Sequence, residues 1–515
     1  MSLTRVRRRT PVGVARGWLL IAGIAAASAA TIPLVYLLVR TADAGLGTLV
    51  QSLQRPSVLA QTANSVLLAI AVTASCLVLG TVSAWALTRV RLPGTRMLLL
   101  VSALPLAVPS YLAAYGWLVV APAANGFWPS WMVLTAVCTP YVTLPVAAAL
   151  RGTSTELEAI ARTLGRGPFA AFRVATWPMV RPAAIAGALL VGLYSLSDFG
   201  LVSMLRYQTL TWGINAAYSA SFDRNQAAAL ALVLVVLAIG VVAGERRFRG
   251  QDVQSVSRTV PARVRPGRWS AALVALLMVS PVVGVLVPVA ALAGKLLSAE
   301  TLREIDLARL LGSVGATLGL AVVGALLAVL LALPIAAIAA RYRGRLVDAI
   351  EAAGFLGHAL PGIVVGLSLV YFSLAIVPAF YQTVVVLVFA YAVLFMPKAI
   401  GTTRSGFAAV PDSLVAVSRT LGLSPLATWW RVNARLALPG IAVGALLVAI
   451  SVMKELPATL LLRPTGISTL ATELWARTTV FEFGAAAPYA AALVLVAAVP
   501  AVLLSGIRGI AKEEL

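Results

Sequence analysis

The stretch ELEAIARTLGRGPFAAFRVATWPMVRPAAIAGALL, Glu156 to Leu190, returns as DSLVAVSRTLGLSPLATWWRVNARLALPGIAVGALLV, Asp412 to Val448. Gly165 answers Gly422, Pro168 answers Pro425, Pro182 answers Pro439 and Gly187 answers Gly444, each 257 positions on. Each copy is a polar, arginine-bearing loop between long apolar segments. The chain therefore reads as a duplicated membrane protein, two similar halves with one such loop in each.

Composition supports that reading. Of 515 residues, 60% are hydrophobic and 11% charged, and the mean hydropathy is +0.95. Apolar runs long enough to cross about 30 Å of hydrocarbon as helices recur along the chain. Lipid offers no partner to backbone polar groups, so helices are required, and the two-residue alternation of barrel strands is missing. A net charge of +22 could point to nucleic acid. The arginines are scattered through short loops instead, as in the inward-facing loops of membrane proteins, so no nucleic-acid partner is expected. Cys76 and Cys138 lie in apolar segments and imply neither a disulfide framework nor a metal site.

Hydropathy predicts twelve spans: 17–39, 65–87, 97–120, 130–150, 183–204, 226–244, 270–294, 312–340, 350–375, 381–397, 440–462 and 486–507. With both termini inside, the inner segments hold 30 basic residues and the outer ones nine. That bias places both repeated loops in the cytoplasm. The basic start, apolar run and alanines near 25–30 also describe a signal peptide, but the length of the run favours an uncleaved first helix. Six helices per half give the halves the same orientation, a parallel repeat. The expected organisation is a first half, 1–244, with its loop at 151–182; a basic linker, 245–269; and a second half, 270–515, with its loop at 398–439.

Each loop opens on a short amphipathic helix. In the first, Ser154 or Thr155 is the expected cap, Leu157, Ile160, Ala161 and Leu164 form an apolar face, and Gly165 ends the helix. In the second, Asp412 or Ser413 is the expected cap, Leu414, Val417 and Leu421 form the face, and Gly422 is the stop. Such a face either packs on the protein's own helices or receives a partner; its duplication favours the partner.

The pattern E-x-x-A-R-T-L-G, Glu158 to Gly165, followed by a proline-containing helix start, resembles the loop motif of ABC importer permeases. The likeness covers nearly the whole chain and is nearest to the fused twelve-helix ferric-iron-type group. LSDFGLVSMLR (196–206) and MKELPATLLLRP (453–464) follow the loops at equivalent positions. The resemblance implies an all-α, type I permease fold in a bacterial inner membrane. It implies two copies of an ATPase docked on the loops, with ATP and magnesium bound by that partner, and an extracytoplasmic protein that delivers cargo. Glu158, Arg162, Leu164, Gly165 and Pro168, and Arg419, Leu421, Gly422 and Pro425, would form the coupling sites. The family usually carries a glutamate six residues before the glycine; here those positions are Ala159 and Ala416, with Glu158 one position early. Arg435 also stands where the first loop has Pro178. Ferric iron is the cargo implied, while thiamine, polyamine, sulfate and phosphonate permeases are similar.

No phosphate-binding loop G-x-x-x-x-G-K-[ST] occurs, so the chain has no ATP site of its own, and no catalytic set is visible. Asp198 and Glu455, 257 apart, fall inside predicted spans, as does Lys454. Charges in a bilayer rarely face lipid, so the two acids either line a pathway or act as structural caps. Pro105 and Pro361, 256 apart, would break spans 3 and 9, and such breaks either mark the same pathway or are simple packing kinks. An ion-gradient transporter using the two acids is the competing reading. It leaves the duplicated loops unexplained.

Overall fold

The computed structural model describes residues 10–11, 17–153, 156–248, 264–265, 267–298, 301 and 305–513. Ser154, Thr155 and most of the linker lie outside them. Almost every described element is a helix. Among the described residues, ten helices are long and apolar enough to cross a membrane: Gly17–Asp43, Pro56–Arg89, Phe127–Gly152, Pro168–Ser197, Arg224–Gly244, Ser270–Leu296, Leu307–Arg341, Val384–Ala409, Trp429–Met453 and Phe483–Pro500. They account for ten of the twelve predicted spans.

The other two predicted spans, 97–120 and 350–375, are broken. Thr95–Leu106 and Ser110–Val120 meet at 92°. In the second half, Arg345–Gly354 and Leu356–Ala359 precede the apolar helix Gly362–Ile376. Each break is set by a proline with extended backbone: Pro109 at φ −62°, ψ 145° and Pro361 at φ −59°, ψ 142°. A proline has no N–H to give the preceding turn but fits the start of a helix, so the chain stops and restarts there. Pro361 therefore matches Pro109. Pro105, which the sequence spacing paired with it, sits buried in the 3-10 turn Leu104–Leu106.

Three further spans differ from expectation. Helix Val384–Ala409 runs through Pro397 and well past residue 398, where the hydropathy ends a span. The predicted spans 183–204 and 440–462 are each interrupted at their acid: Trp177–Ser197 gives way to Gly200–Met204, and Arg435–Met453 to Pro457–Leu462. Asp198, Lys454 and Glu455 thus lie at helix ends, not within helices.

The chain forms two compact units that do not follow the sequence halves. One comprises Met1–Asp43, Asp306–Glu473 and Ala492–Leu515; the other comprises Ala44–Ile305 and Leu474–Ala491. In the first, Gly17–Asp43 packs on Leu307–Arg341 and Gly362–Ile376, and Thr10–Pro11 pairs in parallel with Tyr342–Arg343. In the second, Val287–Leu296 packs on Ser110–Val120, and Val264 bridges Val90. So the opening helix of each half packs with the body of the other.

Glycines permit the closest helix contacts. A Cβ on Gly187 would fall 2.6 Å from the Tyr141 carbonyl oxygen, and one on Gly444 would fall 2.6 Å from Thr402 Oγ1. Small residues let backbones approach, and dispersion then replaces the hydrophobic drive that lipid removes.

Candidate functional site

The repeated loops fold alike. The first helix, Glu156–Thr163, and the second, Asp412–Thr420, each end in a left-handed glycine, with φ +82° at Gly165 and +78° at Gly422. Gly165 N–H donates to Arg162 O and Arg166 N–H to Ala161 O; Gly422 donates to Arg419 O and Leu423 to Ser418 O. These are Schellman closures, and only glycine takes that φ without a Cβ penalty. Pro168 and Pro425 then open the following short helices. Each leads into a wide π turn, Phe172–Thr176 and Trp429–Ala434. The turn persists where Arg435 replaces Pro178, so that proline is not its cause. Asp412 and Ser413 do not cap the second helix: Pro411 occupies the N-cap, and Asp412 sits in the first turn, where its charge favours the helix dipole.

Both helices turn an apolar row outward. Leu157, Ile160 and Leu164 are exposed, as are Leu414, Val417 and Leu421; Leu164 and Leu421 are each 76% exposed. Ala161, placed on the same face by spacing, is instead buried, along with Val415 and Ser418. Apolar area left open in matched triplets is surface that the described residues do not cover.

The acid of the first loop points inward. Glu158 Oε2 accepts from Thr176 Oγ1 at 3.1 Å, and Glu158 Oε1 lies 4.0 Å from Arg162 Nη2. Its counterpart is Val415, buried and uncharged. The loops therefore share a shape but not a charge pattern. Thr176, Asn433 and the span-end arginines Arg89 and Arg341, which brace this region, escape a motif search. Arg89 Nη2 donates to Thr153 Oγ1 at 2.6 Å, and Arg341 Nη2 to Asn433 Oδ1 at 2.9 Å.

The two acids behind the loops do equivalent work. Asp198 Oδ1 accepts the Leu201 N–H at 3.0 Å, and Glu455 Oε1 accepts the Ala458 N–H at 2.9 Å. Each carboxylate thereby caps the short helix that follows it. Each also meets its half's proline break. Ser110, after Pro109, donates to Asp198; a Cβ on Gly362, after Pro361, would lie 2.8 Å from Glu455 Oε1. Lys398 lies within charge–charge range of Glu455, and its Nζ donates to Ser451 Oγ at 2.6 Å. Hydropathy ends a span before Lys398, so its place inside helix Val384–Ala409 is not legible in the sequence. Among the described residues, no group of three or more His, Cys, Asp or Glu could hold a metal ion.

Comparison with known proteins agrees with this architecture. The family described as binding-protein-dependent transport system inner membrane component matches twice, over residues 76–244 and 332–511. The Fe(3+)-transport system permease protein FbpB 2 of Haemophilus influenzae is 34% identical over 479 residues, covering 92% of this chain and 95% of that protein. The sulfate transport system permease protein CysW of Escherichia coli is 28% identical over 34% of this chain and 65% of its own length. The putrescine transport system permease protein PotI of Escherichia coli is 29% identical over 28% and 58%. Two family matches, one per half, and a relative aligned almost end to end place this multi-pass membrane protein among the inner-membrane permeases of binding-protein-dependent ABC importers.

Proposed function

We propose that this chain carries ferric iron inward, delivered by an extracytoplasmic binding protein and driven by two copies of an ATPase, one on each loop. The exposed triplets Leu157, Ile160, Leu164 and Leu414, Val417, Leu421 carry this reading. They repeat at a spacing of 257, stay open to solvent, and stand on helices whose ends are fixed by Gly165 and Gly422. A partner that buries them recovers on the order of 1.5–3 kcal/mol per large side chain. The partner binds ATP and magnesium. Its closure draws the loops together, and the movement passes through the π turns into helices Trp177–Ser197 and Arg435–Met453. The loops and both termini face the cytoplasm. Arg162 and Arg419, exposed beside the apolar rows, meet acidic groups on the ATPase.

At the far ends of those helices the chain breaks at Asp198 and Glu455, against the breaks at Pro109 and Pro361. These joints let the pathway wall yield during alternating access, with Pro105 in the same bend. Ferric iron as cargo rests on the relative aligned over 92% of the chain.

Replacing Leu164 and Leu421 together with Asp should abolish co-purification of the ATPase and leave membrane insertion intact; unchanged co-purification removes the docking site from these helices. Cells deleted for the chain should lose uptake of radiolabelled ferric iron, with no competition by sulfate or putrescine. Undiminished iron uptake excludes iron as the cargo.

A further inference from the structure

The guanidinium of Arg89 is buried and only partly paired. Arg89 closes the spanning helix Pro56–Arg89 and is 5% exposed. Its Nη2 donates to Thr153 Oγ1 at 2.6 Å. Among the described residues, its Nε and Nη1 have no hydrogen-bond partner. A buried donor without an acceptor carries the full penalty of its lost hydration, and a charged one carries more. An acid stands close by. Glu158 lies within charge–charge range of Arg89, yet its carboxylate is engaged elsewhere. It accepts from Thr176 Oγ1 at 3.1 Å and lies 4.0 Å from Arg162 Nη2. The first partner is a neutral hydroxyl. The second is a loose contact with a half-exposed arginine, which solvent screens. An ionised carboxylate offers about four acceptor positions, so Glu158 has capacity for Thr176 and Arg89 together. All of these residues belong to one compact unit.

The second half shows the corresponding link already made. Arg341 closes Leu307–Arg341 as Arg89 closes Pro56–Arg89. Asn433 stands in the second π turn where the first has Thr176, 257 positions earlier. Arg341 Nη2 donates directly to Asn433 Oδ1 at 2.9 Å. One hydrogen bond thus joins span end to π turn there. In the first half no hydrogen bond joins Arg89 to Thr176. Glu158 holds the Thr176 end, and the Arg89 end is open.

We infer that Glu158 and Arg89 are positioning residues for coupling, and that the first loop completes the link Arg89–Glu158–Thr176 when the ATPase presses on it. The inference rests on the proposed docking of the ATPase at the loop helices. Glu158 belongs to the helix that carries Leu157, Ile160 and Leu164, so a load on that row moves its carboxylate. A charge-assisted bond to a guanidinium is roughly twice as strong as a neutral one, and it holds the moved position. The loop is then tied to helix Pro56–Arg89 as well as to Trp177–Ser197. In the second loop Val415 replaces Glu158 and the link is formed without it, so the bond that makes and breaks belongs to the first loop.

The test uses the full-length chain assembled with its ATPase in liposomes, and reads ATPase co-purification and ATP turnover, so its outcome is independent of cargo. Glu158→Gln keeps an acceptor for Thr176 and loses the charge; Arg89→Gln keeps a donor for Thr153. Both should retain the ATPase and lower ATP turnover by roughly tenfold. The double variant should be no slower than either single one, because each removes the same bond. Arg89→Lys keeps a buried charge, guards against misfolding of the Gln variant, and should be impaired less. Glu158→Gln should leave the unfolding temperature of the isolated chain unchanged, since the bond to Arg89 is not formed there; a merely structural role would lower it. A structure of the complex trapped with a non-hydrolysable ATP analogue should bring the Glu158 carboxylate within hydrogen-bond distance of Arg89. The proposal is overturned if Glu158→Gln turns over ATP at the unmodified rate, if the losses multiply in the double variant, or if the trapped complex leaves Arg89 without Glu158. The joint Leu164→Asp and Leu421→Asp variant tests docking separately: an ATPase retained there removes the docking site, whereas unaltered turnover in Glu158→Gln removes this link alone.

Discussion

The hydroxyl of Ser110 donates to the buried carboxylate of Asp198, 88 residues further along the chain. The same carboxylate caps Leu201, so one acid joins the break at Pro109 to the break after Ser197. Asp198→Asn keeps an acceptor for the Leu201 N–H. Asp198→Leu leaves that N–H and the Ser110 hydroxyl without it, a loss of about 1–3 kcal/mol per buried group. Unfolding in detergent should therefore show a mild effect for Asn and a severe one for Leu. An Asn variant with unchanged stability but abolished transport would instead make the charge itself the functional element.

Gly187 and Gly444 occupy equivalent positions but meet different neighbours. A Cβ on Gly187 would strike backbone, the Tyr141 carbonyl and Val142 Cα, whereas one on Gly444 would first meet the Thr402 hydroxyl, which can rotate away. Overpacking a fixed contact costs about 1–3 kcal/mol. Gly187→Ala should lower the unfolding temperature clearly more than Gly444→Ala. Equal shifts would show that helix Trp177–Ser197 adjusts freely.

Arg55 and Asp223 pair at 2.9 Å, outside the spanning helices. The Gln226 backbone N–H first, and then Arg55, hold the Asp223 carboxyl below its ordinary range. The folded state thus favours the ionised form. Its contribution is complete above the unfolded value of about 3.9 and is lost as pH falls through the lower folded value. Both side chains are partly exposed, so less than about 1 kcal/mol is at stake. Unfolding temperatures of the wild type and Asp223→Asn should differ by a constant amount from pH 8 to 5 and converge in stronger acid. A gap that persists at low pH would assign the effect to packing.

Leu164 and Leu421 bury little in the isolated chain, so each single Asp substitution should change its stability by no more than about 0.5 kcal/mol. In a complex with the ATPase, each should lower ATP turnover. Loss of stability in the isolated protein would show that these side chains pack internally in the membrane.

Much of this was legible in the sequence because it is local. The match of Gly165 to Gly422 marks two helix stops wherever the loops lie, and the outward row at Leu157, Ile160 and Leu164 follows from helical spacing. Spacing could not separate Ala161, since which edge of a short helix is covered depends on the π turn beneath it. It also paired Pro105 with Pro361, because a distance in sequence cannot report which proline starts a helix.

Sequence alone determined that the chain is duplicated, helical and membrane-embedded, since those properties depend on what each segment is made of. Tertiary structure alone decided that the opening helix of each half packs with the other half's body. It likewise decided that Asp198 and Glu455 cap helices and that Glu158 bonds to Thr176 where its buried counterpart Val415 has no charge to offer. Those outcomes depend on hydrogen bonds and close contacts between residues far apart in the chain, and composition and periodicity carry no record of such pairings.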